Sequence, residues 1–95
     1  MAIAVILDFP GRTLEQYDQV VGQLIHSLGM KPGTTPAGAI FHWAARTDDG
    51  IRVVDVWETR EQFDRWLFGI EDLGPPQLTF YDVHDMLGAP PAEAR

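Results

Sequence analysis

Gly38-Ala39-Ile40-Phe41-His42-Trp43-Ala44-Ala45-Arg46-Thr47, then Asp48-Asp49-Gly50, then Ile51-Arg52-Val53-Val54-Asp55-Val56-Trp57-Glu58, is the stretch that decides the fold. Two runs rich in β-branched and aromatic residues flank a short polar turn, which predicts a β-hairpin. The turn admits two registers. A two-residue loop at Asp48-Asp49 pairs His42 with Asp55. A three-residue loop ending at Gly50 pairs Trp43 with Asp55 and sends His42 and Asp55 to opposite faces. A glycine at position 50 suits the left-handed residue of a bulge-type turn, and so favours the second register.

Outward from the hairpin, the pattern repeats on both sides. Upstream, Ala2 to Asp8 is a continuous apolar strand, closed by Pro10-Gly11. Thr13 with Gln16 three residues on is a capping box. Leu14, Tyr17, Val20, Val21, Leu24, Ile25 and Leu28 follow at helical spacing, and Gly29 is the stop. Lys31 to Gly38 reads as a loop. Downstream, Thr59 and Gln62 repeat the capping pattern ahead of Phe63, Trp66, Leu67 and Ile70. Gly74-Pro75-Pro76 breaks the chain, and Gln77 to Leu87 reads as a fourth strand. The order β-α-β-β-α-β predicts an α+β, ferredoxin-like domain over residues 1–88: a four-stranded antiparallel sheet with two helices on one face. Residues 89–95 are expected to form a flexible tail.

Helices on one face leave the other face bare. A lone sheet then needs polar residues at alternate strand positions. Ala2 to Leu7 has none, Gly38 to Ala45 has only His42, and Val53 to Trp57 has only Asp55. Both faces are therefore expected to be covered, the second by another copy of the chain, giving a homodimer. A chain of 95 residues buries only about 60–65% of its unfolded surface alone, which adds to the need for a partner.

Composition excludes several functions. The formal charge is −7, with one lysine (Lys31) and six scattered arginines, so nucleic acid and anionic membranes are poor partners. There is no cysteine, hence no disulfide or thiolate chemistry. No basic leader and no run of about 20 apolar residues is present, so a cytoplasmic location is expected. No glycine-rich phosphate loop or nucleophile elbow occurs, which removes nucleotide and serine-hydrolase readings.

The run Ile40-Phe41-His42 through Arg52-Val53-Val54-Asp55-Val56-Trp57-Glu58-Thr59, with Gly11-Arg12-Thr13-Leu14-Glu15-Gln16-Tyr17, resembles small bacterial proteins of the dimeric α/β-barrel superfamily related to antibiotic-biosynthesis monooxygenases. The likeness spans about residues 3 to 87. It implies a homodimer of facing sheets, with a pocket in each protomer between sheet and helices. It also implies one of several chemistries: cofactor-free quinone-forming oxygenation, polyketide cyclisation, lactone isomerisation or haem degradation. The haem-degrading branch uses an asparagine on the first strand, and this chain has no asparagine.

His42 is the leading candidate for catalysis, an ionisable group inside an apolar strand; histidine serves as general acid or base near neutral pH. Asp55 would orient it in the first register. Tyr17, Trp43, Trp57, Trp66 and Phe80, with His84 on the last strand, are candidates to line a pocket for a small aromatic or hydrophobic ligand. The three histidines have no paired ligand spacing, so neither a metal nor another cofactor is expected. Two functions compete: a cofactor-free enzyme acting on an aromatic or polyketide-like substrate, and a non-catalytic ligand-binding or regulatory dimer.

Overall fold

A computed structural model describes residues 2–31 and 33–87; the expected tail at 89–95 lies outside the described residues. The elements are β1 (Ile3–Pro10), α1 (Leu14–Ser27), β2 (Ala39–Arg46), β3 (Gly50–Trp57), α2 (Arg60–Gly69), a short 3₁₀ turn (Glu71–Leu73) and β4 (Gln77–Asp82). The sheet order is β2-β3-β1-β4, and each neighbouring pair is antiparallel. Each helix thus joins two strands that have a third strand between them, the ferredoxin-like arrangement.

Local signals explain both helices. The Thr13 backbone N–H donates to Gln16 Oε1 at 3.0 Å, and the Gln16 N–H donates to Thr13 Oγ1 at 3.1 Å. Two N–H groups that the first turn leaves without partners are thereby satisfied. At the other end, Gly29 takes φ +68° and donates to the His26 carbonyl, while Met30 donates to the Ile25 carbonyl. This is the Schellman closure that a left-handed glycine permits. The second box is half formed. The Gln62 N–H reaches Thr59 Oγ1, but the Gln62 side chain accepts from the Thr59 hydroxyl instead of its backbone N–H.

The core lies between sheet and helices. Val5, Leu7 and Phe9 alternate inward along β1, as do Ile51, Val53, Asp55 and Trp57 along β3. They meet Val21 of α1, Phe63 and Trp66 of α2, and Ile70 and Leu73 beyond it. Leu73 belongs to the 3₁₀ turn, which plain helical spacing does not reveal.

The hairpin takes the register that Gly50 had argued against. Arg46 pairs with Ile51 and His42 with Asp55, across a loop of Asp48-Asp49. Gly50 does not have positive φ. A glycine is needed there for a different reason: a Cβ would lie 2.1 Å from the Phe9 carbonyl oxygen, where the end of β1 presses on the turn. The expected fourth strand is also shorter than the apolar pattern suggests, ending at Asp82 instead of Leu87. One bulge interrupts β2: Ala39 pairs with Trp57 and Phe41 with Val56, so Ile40 is the extra residue. The bulge puts Ala39 and His42, three residues apart, on the same face.

Candidate active site

β3 carries Asp55 inward between Val53 and Trp57. Its side chain is 1% exposed, the only buried charged group among the described residues. A buried carboxylate is tolerable only when its oxygens accept hydrogen bonds. Oδ1 pairs with His42 Nδ1 on the adjacent strand, and Oδ2 accepts from Trp57 Nε1 at 3.2 Å. Strand periodicity brings Trp57 to the same face as Asp55, two residues on.

The line continues across the layers. The Tyr17 hydroxyl of α1 lies 2.5 Å from His42 Nε2. The two rings are nearly parallel, with an interplanar angle of 15° and centroids 6.2 Å apart. A carboxylate only accepts, so the proton on His42 sits on Nδ1 facing Asp55. Nε2 then accepts from the Tyr17 O–H. The result is one directed chain: Tyr17 O–H to His42 Nε2, His42 Nδ1–H to Asp55 Oδ1, and Trp57 Nε1–H to Asp55 Oδ2. Burial first, and then the negative charges of Asp55 and Asp18, push the Tyr17 phenol up to about 12. It therefore remains a donor at neutral pH.

This chain backs onto a cavity of about 350 Å³, small among ligand sites. Tyr17 and His42 form its polar wall, and Trp57 and Trp66 its aromatic wall. Val21 and Ile25 of α1 close one side, and the loop around Thr34 and Thr35 forms the mouth. No lysine or arginine is among the described residues that line it.

Of the pocket residues expected from sequence, Tyr17, Trp57 and Trp66 line this cavity together with His42. The others lie elsewhere. Trp43 is on the opposite sheet face and 42% exposed. Phe80 sits against Phe63, with the Arg60 guanidinium 4.0 Å over its ring. His84 lies past the end of β4 and is exposed. Alternation and aromatic content could not separate these positions, because each also fits a sheet surface or a core. Sequence reading also missed the Tyr17–His42 bond and the Trp57 N–H on Asp55. The first joins residues 25 apart and has no local signature. The second was legible in principle, since Asp55 and Trp57 are spaced for one strand face. Among the described residues, no group of three or more His, Asp or Glu side chains is placed to hold a metal ion. No helix among them is long and apolar enough to cross a membrane.

An antiparallel ferredoxin-like sheet under two helices, with a pocket between the layers, defines an α+β domain class that hosts many activities. Comparison with solved structures narrows the class to the fold of antibiotic-biosynthesis-monooxygenase-like proteins. A candidate antibiotic biosynthesis monooxygenase from Chloroflexus aurantiacus is similar at a TM-score of 0.61 and 14% identity, covering 95% of this chain and 100% of that one. SnoaB, a cofactor-independent oxygenase from Streptomyces nogalater, gives 0.54 and 14%, covering 90% and 95%. A second candidate antibiotic biosynthesis monooxygenase, from Deinococcus radiodurans, gives 0.51 and 13%, covering 93% and 97%. At such identities it is the fold that is shared. No protein-family profile matches the sequence, and no curated protein matches it significantly.

Proposed function

We propose that this protein binds a small, neutral aromatic or polyketide-like molecule and removes a proton from it, acting as a homodimer and needing no cofactor for that step. The observation that carries this reading is the hydrogen-bonded line Tyr17–His42–Asp55 ending at an otherwise apolar cavity. A histidine held in one tautomer by a buried carboxylate is a general-base arrangement. Proton removal is the step shared by the chemistries open to such a site: a substrate carbanion or enolate can go on to oxygenation, cyclisation or isomerisation. The likeness to a cofactor-independent oxygenase supports the same direction.

The dimer rests on the other face of the sheet. By register, Ala4, Ile6, Phe41, Trp43 and Val54 point away from the helices and keep part of their surface open. A second sheet laid on this surface would remove it from water, which favours association in proportion to the apolar area covered.

The test uses 2-tetralone, a flat bicyclic ketone, in deuterated buffer, with loss of its α-protons followed by NMR. Wild-type protein is expected to accelerate the exchange. His42→Gln is expected to fold, to dimerise and to lose the acceleration. A non-catalytic binding dimer is favoured by a different result: tetralone raises the melting temperature of wild type and variant alike, without exchange in either.

A further inference from the structure

Both nitrogens of His42 are occupied. Nδ1 faces Asp55, and Nε2 is capped by the Tyr17 hydroxyl at 2.5 Å. A substrate in the cavity therefore meets no free imidazole nitrogen unless Tyr17 moves aside. What it does meet is the phenol oxygen of Tyr17, whose hydrogen points at Nε2 and whose remaining lone pairs have no partner among the described residues. We propose that Tyr17 is the group that touches the substrate, and that it passes the substrate's proton to His42. This deepens the proton-abstraction reading above and rests on it.

The step balances without an oxidant. The α-C–H bond of the substrate breaks as an O–H bond forms on Tyr17, and the electron pair stays on the substrate as an enolate. In the same event the original Tyr17 O–H bond breaks and an N–H bond forms on His42 Nε2. The products are an enolate, a neutral Tyr17 and an imidazolium held against Asp55. A stepwise route through a free tyrosinate is disfavoured, because burial and the Asp55 charge hold the phenol proton to about 12. The relay avoids that anion, since the phenol never lacks a proton. The 2.5 Å separation of the Tyr17 oxygen and His42 Nε2 suits a direct transfer between them.

The walls also specify the substrate. The lining has no cationic side chain among the described residues, and the Asp55 carboxylate lies directly behind His42. Carboxylate and phosphate ligands would be repelled and would have no counter-ion. Trp57 and Trp66 offer flat apolar surface. The site therefore takes a neutral, flat ketone or phenol.

Tyr17→Phe separates this relay from direct abstraction by His42. The variant keeps the ring and uncaps Nε2. The relay predicts that exchange of 2-tetralone falls at least about 100-fold, the scale of a lost general acid–base group. Tetralone binding, followed by quenching of Trp57 and Trp66 fluorescence, is expected to stay within about threefold, and the far-UV spectrum to match wild type. 2-Naphthoate is expected to bind at least about tenfold more weakly than 2-naphthol. Exchange retained or increased in Tyr17→Phe, with loss in His42→Gln, overturns the relay and leaves His42 as the direct base. Absence of exchange in wild type overturns both the relay and the proton-abstraction reading. Equal binding of naphthoate and naphthol overturns the substrate assignment.

Discussion

His42 and Trp43 are neighbours in β2, yet they belong to different environments. His42 lies under the helices, paired with Asp55 and Tyr17; Trp43 faces away from them and is 42% exposed. The same contrast divides the whole sheet. The covered face carries a buried charge, Asp55, joined in one line with His42, Trp57 and, from α1, Tyr17. The open face between β1, β2 and β3 is mainly aliphatic and aromatic. Closure of a face by helices makes a buried polar group costly, and so demands that each one be satisfied. The open face has no such constraint on its own, and its apolar side chains have value only when another surface covers them.

The largest effect is expected at the junction of core and relay. Trp57 is 2% exposed, packs against Phe63 and Trp66, and donates to Asp55. Trp57→Ala is expected to cost about 3–5 kcal/mol of unfolding free energy. A loss below about 1 kcal/mol in a denaturant melt would mean the ring is not enclosed as described.

Asp55→Ala comes next. It removes the acceptor for two donors, one of them fully enclosed, and is expected to cost roughly 2–3 kcal/mol. If the variant melts like wild type, the covered face does not depend on the relay for stability.

The open face is probed by Trp43→Glu. A charge on this face is expected to convert the proposed dimer to monomer in light scattering, with the far-UV spectrum unchanged, since the side chain is outside the core. A wild-type protein that is monomeric at micromolar concentration would break the comparison at this end.

The smallest effect belongs to Tyr17→Phe, about 0.5–1.5 kcal/mol at neutral pH for one lost hydrogen bond. Its sharper signature is at alkaline pH. An unfolded tyrosine ionises near 10, whereas Tyr17 in the fold keeps its proton to about 12. The folded state thus binds more protons in this window, and wild-type stability must fall as pH rises through it. Tyr17→Phe lacks that contribution and is expected to show a shallower alkaline decline. Parallel declines would show the phenol to be in contact with solvent.

Element order, both helix starts and the apolar stripe of α1 were all legible in the sequence, because each rests on contacts within a few residues. Thr13 with Gln16 and Gly29 with His26 need no knowledge of the rest of the chain. The apolar character of both sheet faces was also readable from composition, and so was His42 as an ionisable group in a strand. Tertiary structure decided the rest. The glycine at position 50 serves the close approach of the Phe9 carbonyl and not a left-handed turn, and a contact between residues 41 positions apart is one that turn chemistry cannot report. The hairpin register set which face Asp55 shares with His42. It likewise sent Trp43 to the open face opposite His42, while the packing of α1 and α2 on the sheet put Tyr17 and Trp66 at the cavity. Tyr17 reached His42 only because α1 lies across β2, and long-range packing of this kind leaves no mark in local sequence.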